Sequence, residues 1–275
     1  MIGFISLICF TFFYTNKIST VIKENDDILK QINDIKDQYK IEAIDAVIDG
    51  YTIIPGVTGK EIDVKKSYKK MKSIDKFNPQ LLVYKSIKPN ISVNKVYDKY
   101  IISGSKSKKE VSLIFLLKEN ENIDQILNIL DKYNIKASFF TTIDWFENNN
   151  ELITKLINEN HVVGNLLSES NYLKSNISWM NAIVTKIEKQ DNTYCFVESK
   201  NDELLNICKL NKSYTIMPTI SVSNNPLIEI KQNLKNGSII SLNVNDNVIT
   251  QLPLIIEYIN SKGLDIVTIN DIIDE

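Results

Sequence analysis

The sequence predicts an α/β fold for residues 108–275, preceded by a small β-rich α+β module over residues 21–107 and a hydrophobic segment over residues 1–20. Three observations carry this. From Val111 onward, short apolar runs alternate with stretches of helical period; upstream, β-branched runs are broken by turn dipeptides; and the sequence opens on an apolar run from Ile2 to Tyr14.

The opening run, "IGFISLICFTFFY", has the length of a signal-peptide core and is short of the roughly 20 residues that span a bilayer comfortably. It is read as a short uncleaved anchor or a signal core, with membrane attachment through residues 2–14. No Lys precedes it, so charge does not fix its orientation. Leu7 and Ile8 stand where a lipoprotein site before Cys9 wants small residues. Over residues 21–39, Ile22, Leu29, Ile32 and Ile35 fall near helical spacing with charges between them, a stalk helix or the first helix of the small module. Asp49-Gly50, Pro55-Gly56 and Thr58-Gly59 then separate short strands, with one helix over residues 64–73. The polar, Lys-rich "SGSKSKKE" of residues 103–110 marks a boundary and reads as a solvated linker.

Beyond it come strand "VSLIFLL", helix "IDQILNILDKYN", strand "IKASFFTT", helix "ENNNELITKLINEN", strand "HVVGNLL", helix "ISWMNAIVTKIEKQ" and strand "TYCFVE". Helix "DELLNICKLN", strand "YTIMP", helix "PLIEIKQNLK", strand "GSIISLNV", helix "LPLIIEYINSKG" and strand "DIVTIN" follow. Such alternation implies parallel strands joined by crossover helices, in an α/β barrel or an open sheet. In both architectures chemistry gathers at the C-terminal ends of the strands.

Composition limits that chemistry. All 32 basic residues are Lys, 34 residues are acidic, and the net charge of −2 is interspersed rather than blocked, so no nucleic-acid footprint is visible. Without Arg there is no guanidinium fork to clamp a carboxylate or phosphate. One His and three Cys (Cys9, Cys195, Cys208) leave little for zinc sites, His-activated nucleophiles or a disulfide scaffold.

"NILDKYNIKASFFTTIDWF" reads like a helix and strand of the form L-x-x-x-G-V-K-A-T-F-F followed by an aromatic, "ELITKLINENHVVGN" like the next helix-strand unit, and "NGSIISLNVND" and "SKGLDIVTIND" like closing strands. In this order and spacing they resemble the polysaccharide deacetylase family, the NodB-homology domain. The resemblance implies a distorted (β/α) barrel in which a metal-bound water removes acetyl groups from glycans. The family's T-F-D-D-G, catalytic base then metal-binding Asp, falls on Ile114, Phe115, Leu116, Leu117 and Lys118. Its H-T/S-x-x-H, carrying two metal ligands, falls on Leu166 to Ser170; its late L-x-H, carrying the catalytic acid, falls at Leu242-Asn243 or, with a small slip, Val244-Asn245. Leu offers no lone pair to a divalent cation, and a catalytic zinc needs about three protein ligands. The expectation is therefore no catalytic residue, with degenerate positions at Leu116 and Asn243, and no metal, with degenerate positions at Leu117, Leu166 and Ser170. No cofactor is expected, and Leu116, Leu117 and Leu166 should form an apolar cluster where a wet mouth would be.

The resulting reading is a catalytically inactive deacetylase-like protein of the bacterial cell envelope, outside the cytoplasm, that binds cell-wall glycan or another envelope protein. The alternative is a divergent active carbohydrate deacetylase or hydrolase with relocated groups, for which Asp144, Glu198 and Asp246 lie near predicted strand ends. Trp145, Phe146, Tyr172 and Trp179 are candidates for a glycan groove, because aromatic faces stack on sugar rings; ordinary barrel packing explains them as well. Asn165 is expected to hold the turn of the vestigial site by side-chain to backbone bonding. His161, at the start of its strand, is expected to be structural, and Cys195 and Cys208 to be buried thiols.

Overall fold

A computed structural model describes residues 26–118, 123–167, 174–189 and 192–275; the apolar run 2–14, Cys9, Ser170 and Tyr172 lie outside them. The described chain begins with α1 (Asp27–Ile35), β1 (Val47–Asp49), β2 (Thr52–Ile54), β3 (Gly59–Ile62), α2 (Val64–Lys72), β4 (Tyr84–Ile87) and β5 (Tyr100–Ile101). Next come β6 (Glu110–Leu117), α3 (Asp124–Lys132), β7 (Ser138–Thr141), α4 (Ile143–Asn148), α5 (Asn150–Asn158), β8 (Val162–Leu166), α6 (Lys174–Glu188) and β9 (Tyr194–Phe196). The last are α7 (Asp202–Leu210), β10 (Tyr214–Ile216), β11 (Ile220–Ser221), α8 (Pro226–Asn233), β12 (Ile239–Asn243), α9 (Asp246–Ser261), β13 (Asp265–Val267) and α10 (Ile269–Ile273). They divide into two compact units, residues 26–44 with 58–89, and residues 45–57 with 90–275.

In the smaller unit, α1 and α2 each start at an Asp that accepts a backbone N–H, Asp26 from Ile28 and Asp63 from Lys66, both at 2.9 Å. Ile28 and Ile32, one turn apart, share a core with Ile62 of β3 and Met71 of α2. The helical period over residues 21–39 thus belongs, in its described part, to a small packed domain. β3 and β4 pair antiparallel beside it.

The larger unit holds a sheet in the order β1-β2-β5-β10-β9-β8-β7-β6-β12-β11, with β13 also on β6. All its ladders are parallel except β1 with β2. This is a mixed α/β fold with a curled half-barrel sheet. The sheet does not close into a full barrel: its order runs from β1 at one edge to β11 at the other, and no ladder joins these edges among the described residues. β1, β2 and β5, from the stretch read as the N-terminal module, extend this sheet.

The core has two sides, set by the alternation of a strand. On β6, Val111, Leu113, Phe115 and Leu117 pack outward with Ile126 and Leu130 of α3 and Ile256 and Ile259 of α9, while Ile114 and Leu116 face the hollow of the sheet. At the beginning of the strands α10 covers that hollow with Ile269 and Ile272, and the Ile269 N–H donates to Ser138 Oγ at 2.8 Å. The expected strand "DIVTIN" is shorter than its apolar pattern because Thr268 and Asp271 form a capping box that opens α10. Among the described residues no helix is long and apolar enough to cross a membrane.

Candidate functional site

At the C-terminal ends of the strands, Leu116 and Leu166 are each 2% exposed and share one cluster with Ile114, Phe140 and Phe196. Gly164 makes room for this filling: a Cβ there would lie 2.5 Å from Phe140 Cε1. Leu117 does not join the cluster. It is the next residue along β6, so it points to the opposite face and packs with the helices. Asn243, at the end of β12, is the ladder neighbour of Leu116 and is exposed.

Over the apolar floor lies a cavity of about 400 Å³ lined by Lys118, Thr142, Leu166, Val197, Glu198 and Asn201, among others. Lys118 follows β6 and Glu198 follows β9, with β7 and β8 between, yet Lys118 Nζ is 2.8 Å from Glu198 Oε1. The ion pair crosses the concave mouth. Both side chains are about half exposed, so the pair contributes only about 0–1 kcal/mol to stability and acts chiefly on the shape and charge of the mouth. Thr142 supports it from below: its Oγ1 donates to Lys118 O at 3.0 Å and accepts from Trp145 N at 3.3 Å, capping α4.

These residues do not fit a catalytic divalent cation. Leu116 and Leu166 carry no donor atom, and among the described residues no group of three or more His, Cys, Asp and Glu is placed to hold a metal. Of the three carboxylates weighed for relocated chemistry, Glu198 lines the cavity, whereas Asp144 and Asp246 sit in the first turns of α4 and α9.

The aromatic candidates are placed differently from expectation. Trp145 and Phe146 are 2% and 0% exposed, held in the helix-facing core by α4, a helix the sequence pattern did not reveal. Neither presents a face to a groove. Trp179 on α6 is partly exposed and meets Phe146 edge-on at 5.6 Å, away from the residues lining the cavity. Asn165 lies within β8 rather than in a turn: its Nδ2 donates to Asn181 Oδ1 at 2.9 Å and Tyr194 O at 3.4 Å, tying the strand to α6 and β9. His161 is buried, its Nδ1 accepting the Ala137 N–H at 3.1 Å, and desolvation, with Lys136 nearby, pulls it down to about 4. Cys195 and Cys208 are free, buried thiols.

Residues 103–234, within the larger unit, match the model of the polysaccharide deacetylase family. The uncharacterized protein YlxY of Bacillus subtilis is 26% identical over 275 residues, covering 93% of this chain and 86% of its own. The structure of a CE4 family pseudoenzyme from Bacillus anthracis aligns with a TM-score of 0.68 at 23% identity, over 91% of this chain and 96% of that one. A mutant of that pseudoenzyme, described as having restored enzymatic activity, aligns with a TM-score of 0.69 at 24% identity, over 91% and 99%. Bacillus subtilis PdaA, a family 4 carbohydrate esterase, aligns with a TM-score of 0.55 at 19% identity, over 84% and 97%. These structures share the fold.

Proposed function

We propose that this chain is a catalytically inactive polysaccharide-deacetylase-like protein of the bacterial cell envelope, acting outside the cytoplasm, whose mouth engages cell-wall glycan without cleaving it. The observation that carries the reading is the apolar floor: Leu116 and Leu166 fall where the family keeps its base and a metal ligand, and both are buried against Phe140 and Phe196. The Lys118–Glu198 pair leaves a polar rim for hydroxyl and amide groups above that floor. Likeness to a pseudoenzyme supports the loss of chemistry, and the mutant of that protein with restored enzymatic activity supports the idea that the scaffold outlives it. Likeness to a carbohydrate esterase supports a carbohydrate ligand and a place outside the cytoplasm.

The test is sedimentation of the full chain with insoluble peptidoglycan and with chitin, while acetate is assayed in the supernatant with and without added zinc. Co-sedimentation without acetate release is expected. Metal-dependent acetate release would overturn the inactive reading; failure to sediment with either polymer would overturn the glycan part and leave a protein partner as the reading to pursue.

A further inference from the structure

At the other end of the sheet, where β7 and β8 begin, a second cavity of about 440 Å³ is lined by Lys136, Ile157, His161, Val162, Glu188 and Asp271, among others. It is separate from the mouth and does not rest on the function proposed for it. His161 is 4% exposed, and its Nδ1 accepts a backbone N–H, which requires that nitrogen to be unprotonated. The neutral ring therefore carries its proton on Nε2. That N–H has no hydrogen-bond partner among the described residues, and the ring is one of the groups that line the cavity.

Glu188, the last residue of α6, also lines the cavity, and its carboxyl has neither a hydrogen bond nor an ion pair among the described residues. Burial alone pushes it up to about 7. Asp271 is already committed, with Oδ2 accepting from Thr268 Oγ1 at 2.6 Å and Thr268 N at 3.3 Å. Two groups of opposite hydrogen-bonding sense, without a side-chain partner among the described residues, thus line one space, a donor on His161 and an acceptor on Glu188.

We infer that this cavity binds a neutral polyhydroxyl ligand, a saccharide or polyol, whose hydroxyls accept from His161 Nε2–H and donate to the Glu188 carboxylate. The lining carries charge of both signs, so it matches neither a simple anion nor a simple cation throughout. An anion would meet Glu188 and Asp271, and a cation would meet Lys136 and the His161 N–H, whereas a hydroxyl both accepts and donates. Ile157 and Val162 supply an apolar wall for the C–H face of such a ligand, and the volume lies within the roughly 300–1,000 Å³ of small-molecule sites.

The chain has one His, so its ring signals in a ¹⁵N-labelled full-length sample need no assignment. At about pH 8, where Glu188 is ionised, glucose, N-acetylglucosamine and glycerol are titrated separately while the ring nitrogens are followed. A saturable shift of Nε2 is expected, from the sugars if the ligand is a saccharide and from glycerol alone if it is a small polyol. Glu188→Gln should weaken it at least about fivefold, and Glu198→Gln at the mouth should leave it unchanged. The inference is overturned if none of the three shifts the ring up to about 100 mM, if sodium acetate or ammonium chloride reproduces the shift, or if Glu188→Gln binds like the parent. The parent titration stands even if that variant does not fold.

Discussion

At Leu116 and Leu166 the neighbours are Ile114, Phe140 and Phe196, so an ion placed between them would find neither a lone pair nor a hydrogen-bonded partner. The resemblance placed both Leu at site positions and led to the expectation of an apolar cluster, and the structure buries the two together. Leu117 was not assigned to its proper side, because in an unbroken run such as "VSLIFLL" every residue is apolar and the period-two pattern that separates the two faces disappears. The Lys118–Glu198 pair was illegible for another reason: the partners are eighty positions apart and meet only because the sheet curls. His161 offers a test at this scale. Its folded value of about 4 lies below the ordinary 6.5, so between those values the unfolded chain binds more protons and His161 costs stability as pH falls through the window. Titration of the single imidazole by NMR should give a midpoint near 4; a midpoint near 6.5 would mean that the ring is not buried.

At the scale of elements, the alternation of strands and helices after Val111 was legible because each run is long enough to show its period. α4 was missed: six residues are too few for a helical period, and its start depends on Thr142, whose cap is a contact rather than a pattern. The joining of β5 to β10 was missed as well, since pairing across more than a hundred residues leaves no local mark. β8 carries a sharp prediction. Gly164→Ala drives a methyl into the Phe140 ring inside a filled hollow, so the variant should lose about 1–3 kcal/mol in chemical denaturation. A loss below experimental error would mean that Phe140 does not plug the sheet.

β6 and β8 together carry another. The variant Leu116→Asp, Leu117→Asp, Leu166→His, Ser170→His restores carboxylates and imidazoles at the positions implied by the family. It should gain at least about tenfold in zinc affinity over the parent by calorimetry, since one carboxylate and two imidazoles make an open site. It should also be less stable, with each buried Leu removed costing about 2–5 kcal/mol before the desolvation of the new polar groups. The Leu117→Asp carboxylate reaches the mouth only by turning the last residue of β6 inward, because that position faces the helices. No gain in affinity by a folded variant would show that β6 and β8 are not the strands that once held the metal.

For the whole molecule, the scaffold and the chemistry have separate physical requirements. The sheet is held by apolar faces on both sides, α3 and α9 outside and α10 with Phe140 inside, and none of this depends on an ion. Leu at positions where the resemblance implies ligands is therefore compatible with the fold, as the proposed loss of the hydrolytic centre requires. The central claim is that this centre is lost, and metal content measures it most directly. Elemental analysis of the purified full-length protein, dialysed after exposure to zinc, cobalt and nickel in turn, should find no stoichiometric metal. One tightly held equivalent per chain would contradict the account.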